Sequence, residues 1–369
     1  MKRNQLLAAL FVCACDAKPS LFGTEDDDPS TGGETDTVGD GEAVRVAWTH
    51  ELPGYALQAE ADADGAVFMT RTYDIERALY RIGADGQILE VIDLAASASD
   101  FTWGERQSVV EVVENGGYRL RPLGDSASET MPGWPRDLQL GLGEALRVAG
   151  VLYEDEQTLA YLDIYTPGGM LAATWTQPYD ESVLNVHIID DGTSQTSVVW
   201  VHRRDDGTDN SIGTISQVGI DGTMLATRTI DLAGDFASVP LPHPDGWMIV
   251  GGGVFGLWTQ VVPADLSEPG PRVFDAAAID RPLFGSVALH DGVLAITARD
   301  VEGRSHIEAR RYAFDGTLIG TTLLPFYDPS AVAQTSYAWA RSGDAVYIAG
   351  WDSGPDLTEW VGWVTRLDL

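Results

Sequence analysis

The stretch Arg81-Ile82-Gly83-Ala84-Asp85-Gly86-Gln87-Ile88-Leu89 decides the fold, because it occurs twice more in the chain. The copies are Gln217-Val218-Gly219-Ile220-Asp221-Gly222-Thr223-Met224-Leu225 and Arg311-Tyr312-Ala313-Phe314-Asp315-Gly316-Thr317-Leu318-Ile319. In each copy apolar residues flank an Asp-Gly pair, which supplies the positive φ angles that tight hairpins require. The repeat therefore predicts a pair of strands joined by a turn, used several times.

A second class of turn lies upstream of these copies, at Asp64-Gly65, Asp191-Gly192, Asp245-Gly246 and Asp291-Gly292. Weaker copies of the first class lie at Gly124-Asp125, Gly168-Gly169 and Asp265-Leu266. Two hairpin turns and four strands are the content of one propeller blade. No window favours a long amphipathic helix, so we expect an all-β protein.

Counting the units predicts a seven-bladed β-propeller with four-stranded antiparallel blades. The first strands are expected to begin near Tyr55, Phe101, Leu138, Ser182, Ala237, Leu283 and Ala331. This spacing of about 45 residues is in the range of known propeller repeats. Six or eight blades are the alternatives, because the segment from Gly116 to Pro135 is irregular.

The two ends of this region predict how the ring closes. Arg366 occupies the place of Arg81 and Arg311, and the sequence stops at Leu369, where the next turn should come. The last blade thus lacks its outer strand, whereas Val44-Arg45-Val46-Ala47-Trp48 is a strand left over at the start. Pairing the two would close the ring and remove an exposed sheet edge.

The Arg-Tyr-x-x-Asp-Gly-x-Leu signature resembles the propeller repeats of bacterial secreted and surface proteins, including the delta-60 repeat family. The resemblance is best from Asp291 to Ile319 and covers the 44–369 region loosely. It implies a fold and a surface location but no activity.

The N-terminus predicts export and a lipid anchor. Lys2 and Arg3 precede a short apolar run from Leu6 to Val12, which is the pattern of a signal peptide and too short for a membrane span. Val12-Cys13-Ala14-Cys15 resembles the lipobox of bacterial lipoproteins, which implies a lipid on Cys15; an ordinary signal peptide is the alternative. We therefore expect a signal peptide at 1–14, an acidic disordered tether at 15–43 and the propeller at 44–369, facing the periplasm or the cell surface.

Composition excludes several kinds of chemistry. The 369 residues carry 23 basic and 56 acidic side chains, a formal charge of -33, and every lysine and cysteine lies within the first 18 residues. The propeller region can therefore hold no disulfide, thiolate zinc site, cysteine nucleophile or lysine Schiff base. Nucleic acid is excluded as a partner, because phosphate binding needs a basic surface.

Aspartates at the predicted starts of the inner strands are the candidate ligand-binding residues. They are Asp100, Asp137, Asp180, Asp235, Asp280 and Asp328, accompanied by the aromatic residues Trp103 and Tyr179. On one face of a propeller these carboxylates would ring the mouth of the axial channel and could hold Ca²⁺, with Asp180 and Asp235 as candidate metal ligands. The alternative is that each aspartate initiates a turn through its own backbone hydrogen bond.

No motif identifies a reaction. His187, His243 and His290 fall near the ends of different inner strands, where a three-histidine metal site is the less favoured interpretation. We therefore expect a lipid-anchored envelope module that binds or scaffolds an envelope protein or a glycan over the channel mouth. The alternatives are an enzyme that cleaves glycans or esters with paired carboxylates, and an assembly subunit of an envelope complex.

Overall fold

The computed structural model describes residues 44–369 apart from 63, 73, 75, 104–106, 114–116, 124–128, 141–144, 155–156, 180–181, 190–195, 205–210, 233–234, 254, 280 and 355–359. In these residues it contains 29 β-strands and one short 3-10 helix, Ala276–Ala278. None of the described helical segments is long and apolar enough to span a membrane. The predicted signal peptide, Cys15 and the acidic tether lie outside the described residues.

The strands follow one another as four-stranded antiparallel units, which we number 1 to 7 in chain order. Strand β1 (Arg45–Glu51) comes first in the chain but pairs within unit 7. Unit 1 contains β2 (Tyr55–Asp62), β3 (Gly65–Arg71), β4 (Arg77–Gly83) and β5 (Ile88–Leu94). Unit 2 contains β6 (Ala98–Thr102), β7 (Ser108–Val113), β8 (Gly117–Pro122) and β9 (Met131–Pro132). Unit 3 contains β10 (Trp134–Leu140), β11 (Leu146–Glu154), β12 (Gln157–Tyr165) and β13 (Leu171–Tyr179).

The second half of the chain repeats this pattern with one interruption. Unit 4 contains β14 (Ser182–Ile189), β15 (Thr196–Arg204), β16 (Ser211–Gly219) and β17 (Met224–Asp231). Unit 5 contains β18 (Phe236–Ala237), β19 (Leu241–His243), β20 (Gly246–Gly253), β21 (Gly256–Pro263) and β22 (Val273–Asp275). Unit 6 contains β23 (Leu283–Ala288), β24 (Gly292–Val301), β25 (Arg304–Ala313) and β26 (Leu318–Leu323). Unit 7 contains β27 (Ala333–Ser342), β28 (Ala345–Ser353) and β29 (Trp360–Asp368), together with β1. In unit 5 the inner strand is broken into β18 and β19.

The molecule is an all-β propeller with four-stranded antiparallel blades, but its sheets do not number seven. Among the described strands, units 1 to 5 are five separate blades, and units 6 and 7 share one eight-stranded sheet. The prediction of seven separate blades is therefore not met. The physical reason is a single parallel bridge between Ser305 of β25 and Ala333 of β27, which joins two otherwise antiparallel units.

The predicted pairing of the chain's two terminal strands is confirmed. Strand β1 runs antiparallel to β29, with Arg45 opposite Asp368 and Thr49 opposite Thr365. The hydroxyl oxygens of Thr49 and Thr365 lie 2.9 Å apart, and Arg45 pairs with Asp368 at 2.9 Å. The N-terminal strand thus supplies the outer strand that the last unit lacks.

The core is divided among the contacts between successive units. The buried hydrophobic residues of the described chain form seven clusters, and each lies between two units that follow each other. The cluster between units 7 and 1 contains Tyr347 and Val364 on one side and Phe68 and Ile82 on the other. Packing therefore continues across the junction that β1 closes.

The repeated Asp-Gly turns form as the sequence predicts. Gly86, Gly222 and Gly316 have φ angles of 86°, 80° and 83°, the left-handed region that glycine adopts without a steric cost. In each turn the aspartate accepts a hydrogen bond from the backbone N–H two residues on, as Asp315 does from Thr317 at 2.9 Å. The signature is thus a turn between the third and fourth strands of a unit.

The antiparallel order gives the propeller two faces. The hairpin face carries the turns between first and second strands and between third and fourth strands, including Asp64-Gly65 and Asp85-Gly86. The loop face carries the connections between units and the ends at which second strands lead into third strands, such as the end of β3 at Arg71 and the start of β4 at Arg77. Strand starts such as Tyr55 and Arg77 lie at the loop face, opposite the end of β3 at Arg71.

A β-bulge interrupts the inner strand of every unit except unit 5. The skipped residues are Leu57, Ser99, Arg136, Leu184, Phe284 and Tyr337. A bulge adds one residue to one strand and changes the side to which later side chains point. These bulges therefore decide which inner-strand side chains meet those of the next unit.

Candidate functional site

Asp100 and Asp137 lie within inner strands, and not at the strand starts where the sequence predicted them. Each directly follows a bulged residue, in β6 and β10 respectively. The Oδ2 atom of Asp100 accepts a hydrogen bond from the backbone N–H of Leu138 at 2.7 Å. The Oδ2 atom of Asp137 accepts one from the N–H of Ile188 at 2.6 Å. Both carboxyl groups thus connect the inner strand of one unit to that of the next.

Glu60 makes the same kind of connection between units 1 and 2. Its Oε2 atom accepts a hydrogen bond from the backbone N–H of Trp103 at 2.7 Å. Glu60, Asp100 and Asp137, which we call the carboxyl chain, therefore link the inner strands of units 1 to 4 in succession. Backbone N–H groups that lack a ladder partner are costly to bury, so these acceptors stabilise the contacts between units.

The carboxyl chain has raised pKa values because it lies deep in the molecule. Burial raises the pKa of Glu60 to about 7, and the charge of Asp137 adds to the effect. Burial also raises the pKa of Asp137 to about 7. The pKa of Asp100 lies well above its usual range, through burial first and the charge of Asp137 second. Near neutral pH Glu60 and Asp137 can exchange protons, which is the property of a general acid or base.

His187 adjoins the carboxyl chain and His202 adjoins His187, and both histidines are neutral at physiological pH. Burial lowers the pKa of His187 to about 4, and His202 and Arg136 lower it further by their charge. Burial alone lowers the pKa of His202 to about 4. The Nδ1 atom of His187 lies 3.8 Å from Oδ2 of Asp137, and its side chain is 28% exposed. Because the imidazole is uncharged, this contact is not an ion pair.

The other predicted site residues are placed separately. Asp180 and Asp280 lie outside the described residues. Asp235 accepts a hydrogen bond from the indole N–H of Trp258 at 2.8 Å within its own unit. Asp328 accepts from the N–H and the hydroxyl of Ser330, both at 2.8 Å, so it caps its own loop as a turn-forming aspartate does.

The two predicted aromatic partners do not lie together either. Trp103 follows β6 and therefore lies toward the hairpin face, opposite the face that was predicted for it; its indole N–H donates to Asp62 at 3.1 Å. Tyr179 is buried at the end of β13, with the guanidinium of Arg203 4.4 Å from its ring centroid. The misplacement of Trp103 follows from the start of the first strand, which is Ala98 and not Phe101.

The described residues contain no group of three or more His, Cys, Asp or Glu side chains that could hold a metal ion. His243 accepts a hydrogen bond from the N–H of Asp245 in its own hairpin, and His290 lies beside Asp291. These two histidines and His187 therefore do not form the three-histidine cluster. Because Asp180 lies outside the described residues, the metal site with Asp180 and Asp235 as candidate ligands stays a prediction.

Four aromatic side chains meet on the loop face between units 7 and 1. The Trp351 ring stacks on Trp360, with ring centroids 5.2 Å apart and an interplanar angle of 3°. Tyr337 stacks on Trp351 at 4.7 Å and 22°, and Tyr55 of unit 1 meets Trp351 edge-on at 5.5 Å. Tyr337 and Trp360 remain 43% and 40% exposed. We call these four residues the aromatic row.

A charged cluster is buried between units 5 and 6. Glu308, whose side chain is fully buried, pairs with Arg281, Arg299 and Arg310. Arg310 is also buried and pairs with Asp275 at 2.6 Å. A buried carboxylate surrounded by guanidinium groups is satisfied by charge-assisted hydrogen bonds. Glu308 and Arg310 at its centre are closed to solvent, and the pair between Arg310 and Asp275 joins unit 6 to unit 5.

Neither the carboxyl chain member Glu60 nor most of the aromatic row was predicted from the sequence. Glu60 lies in an alternating strand, and its partner Trp103 is 43 residues away in the sequence. The row had a signal, because tryptophan and tyrosine are dense between Tyr337 and Trp363. The spacing alone did not show that three of them stack.

Comparison with known proteins supports the fold alone. No family model matches the sequence, and no curated protein matches it. A polysaccharide lyase, Uly1, superposes with a TM-score of 0.54 at 8% identity, covering 91% of this chain and 94% of that one. The β-propeller domain of the Trilobed protease from Pyrococcus furiosus, described as having an open velcro topology, gives a TM-score of 0.50 at 13% identity, with 85% and 94% covered. The Dos1 propeller gives 0.45 at 9% identity, with 88% and 96% covered.

Proposed function

We propose that this chain is a binding or scaffolding module of a bacterial cell envelope. A lipid on Cys15 would hold it at a membrane, and its ligand, a glycan or an envelope protein, would lie on the loop face over the channel mouth. The aromatic row is the observation that carries the proposal. Ligand sites are lined by aromatic side chains with a few polar groups, and two rings of the row keep about two fifths of their surface exposed.

We infer further that units 6 and 7 act as two blades, so that the propeller has seven. Their one shared bridge, Ser305 with Ala333, involves a single residue pair. A separate hydrophobic cluster, with Ile296 and Ile307 facing Ile348 and Trp363, packs between them as between the other neighbouring units. The aromatic row would then lie at the junction of the first and last blades.

A thermal-shift screen of the full chain tests the binding proposal. Neutral and acidic oligosaccharides, peptides and calcium are added to the wild type, to Trp360→Ala and to Tyr153→Ala. Tyr153 is 60% exposed at the loop-face end of unit 3 and serves as the matched control. We expect one ligand class to raise the melting temperature of wild type and control but not of Trp360→Ala. Equal shifts in all three proteins, or no shift with any ligand, would count against the proposal.

The second candidate function is hydrolysis of glycans or esters, and the carboxyl chain favours it. Glu60 and Asp137 have pKa values of about 7, where a carboxyl group can act as acid or base at neutral pH. Each nevertheless has one oxygen occupied by a backbone N–H of the next unit, which is the arrangement of a structural acceptor. Binding is therefore the better supported function.

Activity assays on Asp137→Asn and Glu60→Gln distinguish catalysis from a structural role. Both substitutions keep an oxygen that can accept the backbone hydrogen bond, so folding should survive. If the protein is a hydrolase, each substitution should lower the rate of hydrolysis at least 100-fold. The wild-type rate should then show a bell-shaped dependence on pH. If the wild-type protein turns over no glycan or ester substrate, the hydrolase function is wrong.

A further inference from the structure

Unit 5 has apolar residues at a loop-face position where every other unit has acidic ones. By sequence, the connection between the second and third strands of the other six units always contains at least one acidic residue. These residues are Asp74 and Glu76, Glu114, Asp155 and Glu156, Asp205, Asp206 and Asp209, Glu302, and Asp356 and Glu359. In unit 5 the same connection is Val254-Phe255. Unit 5 therefore departs from the acidic character of the loop face.

Phe255 lies at the tip of the hairpin that β20 and β21 form. Gly253 and Gly256 are cross-strand partners, so Phe255 belongs to a tight turn at the loop-face end of unit 5. Its side chain is 74% exposed, more than any other large hydrophobic residue that the structure describes. Apolar surface of this extent in water is unfavourable, and its removal from water drives association.

The segment from Phe274 to Ile279 lies beside this tip. A Cβ atom at Gly256 would lie 2.5 Å from the carbonyl oxygen of Asp275 and 3.5 Å from the backbone of Ala278. Phe274 and Ile279 are themselves 51% and 53% exposed. The tip and the segment thus expose apolar side chains at one place on the loop face.

These exposed side chains form a patch with no polar member. We call it the unit 5 patch, and it consists of Phe255, Phe274, Ala276, Ala277 and Ile279. Exposed apolar patches on the surface of a soluble domain mark contacts with proteins or membranes. The patch therefore calls for an occupant.

The charges next to the unit 5 patch are compensated or positive, although the chain has a formal charge of -33. Asp275, the ionisable residue of the segment, pairs with the buried Arg310 at 2.6 Å. Arg272, just before β22, is half-buried, with its guanidinium 4.2 Å from the ring centroid of Trp258. The patch can therefore approach phosphate groups that the rest of the protein repels.

We propose that the unit 5 patch inserts into the surface of a phospholipid bilayer, as a contact separate from a lipid on Cys15. Phe255 would enter the boundary between headgroups and acyl chains, where aromatic and aliphatic side chains are buried. A zwitterionic bilayer is favoured, because the charge of the chain repels anionic lipids at long range. The aromatic row belongs to units 7 and 1, so membrane contact and ligand binding use different parts of the loop face.

A bilayer fits the patch better than a partner protein or a second copy of this chain. With roughly 200 Å² for one large side chain, the exposed surface of the patch is on the order of 400 Å². A stable protein–protein interface buries about 800 Å² on each partner. A bilayer needs no matching surface, so one protruding turn can enter it. Two copies would in addition bring together two strongly acidic chains.

Site-specific fluorescence on vesicles tests this proposal in the full chain, with Cys13 and Cys15 replaced by serine so that no lipid can be attached. A single cysteine, Phe255→Cys, carries a nitrobenzoxadiazole label, whose emission rises in apolar surroundings. We expect roughly a two-fold rise on vesicles of phosphatidylcholine and phosphatidylethanolamine, because the label leaves water. Phosphatidylglycerol in the vesicles should weaken the response, and added salt should restore it.

The same label at Tyr153→Cys is the matched control. Tyr153 is 60% exposed at the loop-face end of unit 3, outside the patch. Its emission should not change on vesicles. Both labelled chains have the same N-terminus, so their comparison cancels any vesicle binding by the predicted signal peptide.

Paired serine substitutions test whether the rest of the patch takes part. In the chain labelled at residue 255, Phe274→Ser with Ile279→Ser should abolish the rise. Ile220→Ser with Leu225→Ser removes two apolar side chains of similar exposure, 58% and 57%, from unit 4 and should leave the rise intact. All four side chains are exposed, so folding should survive.

The outcomes decide between the occupants. No rise at residue 255 on any vesicle, or an equal rise at residue 153, overturns the proposal. A rise that needs no vesicles and grows with protein concentration assigns the patch to contact between two copies, which overturns it as well. A rise that persists after Phe274→Ser with Ile279→Ser would show that the patch does not act as one surface.

Discussion

At the scale of single residues, the acidic side chains of this protein divide by what surrounds them. Exposed aspartates such as Asp315 and Asp328 cap turns, and the hydrogen bonds that they accept lower their pKa. Glu60 and Asp137 lie among inner strands, where burial raises the pKa instead. For the six candidate aspartates the sequence left turn capping as the alternative role, but it could not show which carboxylates the bulges would bury.

The stability of the protein should respond to pH through Asp137. A carboxyl group whose folded pKa of about 7 exceeds its unfolded value stabilises the fold at low pH, and this contribution is lost as the pH rises from about 4 to 7. Asp137→Asn keeps an acceptor for Ile188 and cannot ionise. Urea unfolding should therefore show the variant about 1–2 kcal/mol more stable than wild type at pH 8 and no more stable at pH 4.

The control for that measurement is Asp328→Asn, which changes an exposed carboxylate on a loop. His187 and His202 act in the opposite direction, since their lowered pKa values remove stability as the pH falls from about 6.5 to 4. Comparison of variant with wild type at each pH cancels this histidine contribution. A variant that is less stable than wild type at pH 8 would show that ionised Asp137 is the favourable form.

The buried cluster between units 5 and 6 should depend on its central carboxylate. Glu308→Gln leaves Arg310, which is 2% exposed, with reduced compensation for its charge. Breaking a buried pair in this way costs on the order of 3 kcal/mol in the free energy of unfolding. Glu268→Gln, in an ion pair whose glutamate is 88% exposed, should cost less than about 0.5 kcal/mol. Equal effects in the two variants by chemical denaturation would refute the structural role of Glu308.

At the scale of elements, the turns were predictable and the bulges were not. An Asp-Gly pair carries its conformation in the two residues themselves, so three copies of the signature gave three equivalent turns. A bulge depends on pairing with another strand, and no residue type marks Ser99 or Arg136 as the skipped position. The starts of two inner strands were therefore misplaced by a few residues, which moved Trp103 to the wrong face.

Alanine substitutions at two glycines with nearly equal backbone angles distinguish the cost of backbone strain from the cost of a packing clash. Gly303 and Gly316 have φ angles of 76° and 83°. A Cβ atom at Gly303 would meet nothing within 4 Å, whereas one at Gly316 would lie 2.5 Å from the hydroxyl of Thr259 and 2.9 Å from Val273 in unit 5. Gly303→Ala should lower the free energy of unfolding by about 1 kcal/mol, because of backbone strain alone. Gly316→Ala should lower it by about 2–3 kcal/mol, because the new Cβ atom also clashes with unit 5. Thermal unfolding measures both, and equal losses would show that the turn does not pack against unit 5.

At the scale of the whole molecule, the pairing of the terminal strands brings units 7 and 1 together. Strand β1 covers the edge of β29, and the chain passes from there through Leu52 directly into β2. The aromatic row meets only because of this junction, since Tyr55 belongs to unit 1 and the other three rings belong to unit 7. The sequence predicted the junction from a strand missing at one end and present at the other, but it could not predict which side chains would line it.

Oxidative cross-linking of Thr49→Cys/Thr365→Cys tests the closed ring most directly, in a chain whose two native cysteines, Cys13 and Cys15, are replaced by serine. The threonines are cross-strand partners with hydroxyl oxygens 2.9 Å apart, so a disulfide should form readily and raise the melting temperature. His50→Cys/Thr365→Cys, displaced by one residue, should not cross-link, because adjacent residues point to opposite sides of a strand. Failure of the first pair, or equal cross-linking of both, would contradict the closure that brings the aromatic row together.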